Sequence, residues 1–98
     1  MIEYKTMAEL KRLHLGHFFD RDTMRFFDSV VYPNVRTGKE HWYFVTSERY
    51  NQSTPRLFTV RRMGTNGTID TVGEFQEFPT LGHALEVATE IAQAERGQ

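Results

Sequence analysis

Apolar and polar positions change their spacing along the chain, and the changes mark the elements. Residues 1–5 carry too little pattern for more than a loose end or a short edge segment. Met7, Leu10 and Leu13 form a narrow stripe at helical spacing, which predicts a short helix over 7–14. Thr6 is placed to cap it, because its hydroxyl oxygen can accept an early helical N–H. Glu9 follows three residues on, as in a capping box, and Gly16 is the expected stop. In residues 17–28, HFFDRDTMRFFD, the apolar side chains are too clustered for one clean stripe. The stretch reads as a loop and a second short helix with Asp20 or Asp22 at its start, and at least one aromatic should pack away from the core.

The spacing then shortens to two. Ser29–Tyr32 is β-branched and aromatic, and Pro33 confines it to an edge or a strand end. Asn34–Lys39 reads as a turn. His41–Ser47 places Trp42 and Phe44 on one face and Tyr43 and Val45 on the other, so it predicts a central strand covered on both sides. Residues 48–55 read as a polar loop. Arg56–Arg62 alternates, with Phe58 and Val60 inward and Leu57, Thr59 and Arg61 outward. Asn66-Gly67 is a strong hairpin signal before a return strand over Thr68–Phe75, in which Gly73 suggests a bulge or a close backbone approach. Finally Leu81, Ala84, Leu85, Ala88, Ile91 and Ala92 share one face of a helix over about 81–95, capped by Thr80, with Glu86 and Glu90 opposite. Gly82 weakens its first turn by about 1 kcal/mol relative to Ala.

Strands joined by short connections imply an antiparallel meander of three to four strands. A helix with one apolar stripe must cover one face of it. The expected fold is α+β: a meander sheet packed by a C-terminal helix, with one or two short N-terminal helices, in a single domain over residues 1–98. If those short helices leave the second sheet face bare, a homodimer would cover it. The expected state is a monomer or a homodimer.

One sequence of motifs is distinctive: GHFFDRDTMRFFDS, WYFVTSE, RLFTVRR, then GTIDTVGEFQEF and an alanine-rich helix. Over roughly residues 16–95 it resembles a family of small uncharacterised proteins encoded by bacteriophages, prophages and some bacterial genomes. The resemblance brings no activity with it. It implies a mobile-element setting, in which small proteins often inhibit host machinery, anti-CRISPR proteins among them. The end of the chain also resembles, in order, the helix–three strands–helix layout of the double-stranded-RNA-binding domain. That domain grips phosphates with lysines at the start of its last helix, and Thr80–Glu86 holds none.

Candidate chemistry is sparse. The 98 residues contain no cysteine, which removes disulfides, thiolate metal sites and a cysteine nucleophile. No serine sits in a Gly-x-Ser-x-Gly elbow, and the glycines before the return strand belong to a hairpin, not a phosphate loop. His14 and His17, with Asp20 and Asp22 downstream, are the best metal or acid–base candidates, but Gly16 falls between the two imidazoles. The expectation is a non-enzyme without cofactor or metal. A minor metal-binding or enzymatic role at these histidines is kept as an alternative. No apolar run approaches the roughly 20 residues needed to cross a bilayer, and the N-terminus lacks a secretory signal. The expected setting is therefore the cytoplasm of a bacterial host, away from membranes.

Charge is more informative. The formal net charge is −1, yet residues 1–62 hold eleven of the twelve Lys and Arg, and residues 63–95 hold none. That second part carries Asp70, Glu74, Glu77, Glu86, Glu90 and Glu95. The leading expectation is binding to a host protein, one with a basic nucleic-acid groove, through Asp70, Glu74, Glu77, Glu86 and Glu90. Tyr50, or one of Phe18 and Phe19, would be the aromatic anchor. The alternative is nucleic-acid binding by a basic sheet face made of Arg49, Arg56, Arg61 and Arg62, with Tyr43, Tyr50 and Phe58 as stacking surfaces.

Overall fold

The computed structural model describes residues 3–14, 16–26 and 28–97. Its elements are β1 (Glu3–Lys5), α1 (Met7–Leu13), α2 (Arg21–Phe26), β2 (Val30–Val31), β3 (Val35–Thr37), β4 (His41–Glu48), β5 (Leu57–Gly64), β6 (Ile69–Val72) and α3 (Leu81–Glu95). Every strand pairing is antiparallel. The order is β1-β3-β4-β5-β6, and β2 pairs with β4 as well. The α+β class and the antiparallel sheet are as expected, with the expected strands found as β2, β4, β5 and β6; the short strands β1 and β3 extend it.

Strand β4 is central and is covered on both faces. On one face Tyr43 and Val45 join Val60 and Phe78 beneath α3. Ala84, Ala88 and Ala92 are fully buried there, so small side chains let the helix axis approach the sheet closely. Thr80 caps α3 by accepting from the His83 N–H. On the other face Phe44 and Met63 pack with Val35 and the fully buried Leu10 of α1, and Met7, Phe18, Phe19, Trp42 and Ile69 surround them. The N-terminal segment thus covers the second face. The Thr6 cap is present, its oxygen accepting from the Glu9 N–H.

Four local expectations need correction. Asn34–Lys39 is not simply a turn: Val35 and Arg36 are buried in β3, which pairs with β1 on one side and with β4 on the other. Breakers flank this strand. Pro33 offers no N–H to the ladder and Asn34 takes a positive φ of 67°, so β2 and β3 follow one another along the same edge of β4 as two short pieces. Second, α1 stops before Gly16, with His14 as its extended C-cap. Third, the return strand is shorter than Thr68–Phe75. Gly73 turns the chain away at φ 76°, and pairing with β5 resumes only at the Phe58–Phe78 bridge. Fourth, Glu48 belongs to β4 and is 2% exposed, although charge placed it in a loop.

Gly67 closes the β5–β6 hairpin at φ 84°. A Cβ there would also lie 2.5 Å from the Leu13 carbonyl oxygen, because the end of α1 rests on the hairpin tip. His14 completes that contact. Its Nδ1 donates to the Gly67 carbonyl at 2.6 Å and its Nε2 accepts from the Phe18 N–H at 3.3 Å, an arrangement that fixes one neutral tautomer.

Candidate functional site

The acidic residues separate once the chain folds. Glu86 and Glu90 are exposed one turn apart on the outer face of α3. Asp70 is held by Arg62 in a two-pronged contact of 3.1 and 2.5 Å. The hydrogen bond from Arg62 outweighs burial, so the Asp70 carboxyl lies below its usual range and Arg62 above its own. The Glu77 carboxylate accepts from the Glu74 N–H at 2.9 Å and so closes the turn after Gly73. The Glu74 side chain stays exposed. Tyr50 is 64% exposed in the connection between β4 and β5. Phe18 and Phe19 pack with Phe44 instead of standing out as anchors, and Phe26, 74% exposed, is among the described residues an aromatic that turns away from the core.

The four arginines of the alternative surface do not share one face. Arg49 and Arg56 converge on Asp28, at 2.5 and 3.0 Å, and Arg56 also reaches Ser47 Oγ at 2.8 Å. Hydrogen bonding from Arg49, above all, draws the Asp28 carboxyl below its normal range. Arg61 and Arg62 are neighbours in a strand, so their side chains leave on opposite sides of the sheet. Arg62 lies in the row with Tyr43 and Asp70. Arg61 enters a polar cluster on the other face.

That cluster was not legible as a site. Glu48 Oε1 accepts from Thr59 at 2.9 Å, and Oε2 accepts from Thr46 at 2.5 Å and from Arg61 at 3.2 Å. Arg61 also donates to Thr46 and Thr71, and its guanidinium lies 5.3 and 5.4 Å from the ring centres of Phe18 and Phe75. Gln76, at φ 59°, donates its N–H to Thr59 and its amide to the Glu48 carbonyl. Among the described residues no buried side-chain polar atom is left unpaired. The cluster has no vacancy for a ligand, and its role is to hold the sheet face under the N-terminal cover. Alternation of 42, 44, 46 and 48 against 57, 59, 61 and 63 was the signal that Glu48 and Arg61 lie on one side.

A second network joins the end of α3 to β4. Glu95 Oε1 accepts from the backbone N–H groups of Glu40 and His41 at 2.9 and 3.0 Å. Its Oε2 accepts from Tyr43 at 2.6 Å and His41 Nδ1 at 2.7 Å. Burial opposes the charge on Glu95, but the hydrogen bonds from Tyr43, the Glu40 N–H and His41 prevail and hold its pKa down at about 2. Burial, with the bond to Glu95, pushes Tyr43 up to about 12. Gly38 makes this approach possible, since a Cβ there would collide with the Glu95 carboxylate. Open clefts flank the network. One, of about 540 Å³, is lined by Glu40, His41, Gly64, Thr65 and Asn66. The other, of about 460 Å³, is lined by Thr37, Gly38, Lys39 and Arg96. A carboxylate orienting an imidazole is half of an acid–base array. Among the described residues no hydroxyl is hydrogen-bonded to the His41 ring to complete it. Tyr43 and Glu95 stand 52 positions apart in the chain, so no local pattern pointed to the network.

His14 and His17 do not converge. His14 is engaged with the hairpin, and His17 pairs with Asp20 at 2.7 Å on the surface. Among the described residues no group of three or more His, Asp or Glu is placed to hold a metal ion, and no helix is long and apolar enough to cross a membrane.

A family model described as a family of unknown function, DUF7447, matches residues 3–89, most of the chain. The protein belongs to the DUF7447 family. No curated protein and no solved structure matches it. The match takes in the DUF7447 sheet and most of α3, including Glu86, and stops just before Glu90 and Glu95.

Proposed function

We propose that the protein works by non-covalent capture of a protein partner, with the outer face of α3 as the contact and Glu86 and Glu90 at its centre. One observation carries this reading. Asp28, Glu48, Asp70 and Glu95 are each matched by an internal cation or hydrogen-bond donor, whereas Glu86 and Glu90 are exposed side by side in a helix that contains no Lys or Arg. Like charges at this spacing destabilise a helix by a few tenths of a kcal/mol, and an opposing basic surface reverses that effect. A groove built for nucleic acid is such a surface, and charge complementarity speeds docking and rejects wrong partners. Tyr50 is accessible as an aromatic anchor. In the phage or prophage setting implied by the motif order, the partner is a host protein in the bacterial cytoplasm and the outcome is inhibition, anti-CRISPR-like in kind.

The test is affinity capture from host lysate with wild type and E86K/E90K in parallel. The proposal expects a captured protein that the variant loses while its melting temperature is unchanged. Equal capture by both would remove α3 as the contact. A second reading, nucleic-acid binding through Arg49, Arg56, Arg61 and Arg62, draws less support, because each of these guanidinium groups is already hydrogen-bonded within the chain.

A further inference from the structure

Four exposed cations lie elsewhere, on the two N-terminal helices. Lys11 and Arg12 of α1 and Arg21 and Arg25 of α2 are all exposed. Among the described residues no carboxylate lies within ion-pair distance of any of them. The neighbouring carboxylates are already engaged: Glu9 by Lys5 at 3.3 Å, Asp20 by His17, and Asp28 by Arg49 and Arg56. Asp22 is the remaining exposed acid of the two helices. The Lys11 ammonium sits 5.6 Å from the centre of the Phe19 ring, which brings the charge of α1 to the start of α2. Arg21 and Arg25 are four residues apart, so they share one face of α2, about 6 Å apart along its axis.

Asp22, beside Arg21 and three residues before Arg25, is the acid of α2, and among the described residues it forms no ion pair with either guanidinium group. The helix has six residues and none of them is buried. So short a helix is marginal by itself. An anion running along it would neutralise both guanidinium groups. Phe26 follows Arg25 directly and is 74% exposed. A cationic track beside an exposed aromatic is the arrangement that holds single-stranded nucleic acid, with phosphates on the cations and a base stacked on the ring. Three of the four cations are guanidinium groups, which bind phosphate in a forked geometry.

We infer that the α1–α2 surface binds the backbone of single-stranded nucleic acid through Lys11, Arg12, Arg21 and Arg25, with Phe26 as the stacking platform. Helix α1 lies on the sheet face opposite α3, and the inference does not depend on the role proposed for Glu86 and Glu90.

The experiment is fluorescence anisotropy of labelled oligothymidylate and oligouridylate with the full chain, titrated over a range of salt. Four phosphate contacts predict a log–log salt slope of about −3, falling to about −1.4 in R21A/R25A or in K11A/R12A. F26A weakens binding by about tenfold with little change of slope. E86Q/E90Q binds as wild type does, which separates this result from failure of the α3 proposal. Circular dichroism confirms that each variant is folded. Three results would overturn the inference: no salt-dependent binding, a wild-type slope in both double-alanine variants, or adsorption to phosphatidylserine vesicles without oligonucleotide binding. Tighter binding to a duplex of equal length would overturn the single-strand assignment.

Discussion

Single residues decide how the layers are joined, and Glu95 is the clearest case. Its ordinary pKa of 4.5 is lowered to about 2 in the folded chain. A depressed carboxyl contributes stability above its unfolded pKa and loses it as pH falls through the folded one. Wild type should therefore lose on the order of 2 kcal/mol between about pH 5 and pH 2 that E95Q does not lose, measured by urea unfolding across that range. Glu48 predicts a larger effect at neutral pH. Glu48→Ala leaves the Arg61 guanidinium, 12% exposed, facing two threonines without its carboxylate. The expected loss is about 3 kcal/mol in the same assay, because breaking a buried pair from one side strands the other charge. Glycines split in sign. Gly67→Ala should destabilise by more than about 1 kcal/mol, from its positive φ and the Leu13 carbonyl above it. Gly82→Ala, with open space around the added methyl, should stabilise α3 by up to about 1 kcal/mol in thermal melts.

At the scale of elements, legibility followed length and periodicity. Helix α3 and strand β4 were readable because fifteen and eight residues hold one pattern without interruption. Strand β3 was not, because its three residues stand between Pro33-Asn34 and Gly38, which are turn signals by any local rule. Pairing on both edges overrode those signals. The same limit hid the candidate sites. Helical spacing placed Glu86 and Glu90 on the outer face of α3, where they are exposed, but charge asymmetry could not reveal that Asp70 and Glu77 are engaged by Arg62 and the Glu74 N–H, contacts made only after the strands and the 73–78 turn have formed. Close approach of α3 to the sheet also sets a size limit. Ala88→Leu should cost about 1–3 kcal/mol in urea unfolding through overpacking against Tyr43, Val45 and Val60.

For the whole molecule, the lopsided sequence charge becomes an arrangement of layers. Exposed cations remain on α1, which covers one sheet face, and on the neighbouring α2, and exposed carboxylates remain on α3, which covers the other. Stability and binding should then diverge in one substitution. Glu90→Lys replaces a repulsive pair with an attractive one, acid before base at a spacing of four, and should stabilise α3 by about 0.3–0.5 kcal/mol. The same change should weaken partner capture. A variant that melts higher yet captures as well as wild type would show that the natural carboxylate pair serves no contact.

The seat of α1 on the β5–β6 hairpin has a consequence for the order of events during synthesis. His14 leaves the ribosome more than fifty residues ahead of Gly67, whose carbonyl it needs. Until that hairpin exists, Leu10, Phe18 and Phe19 have no sheet to cover. The α1 segment, made before the hairpin, is thus among the last to settle, and in the interval it presents an apolar surface on which a chaperone can act.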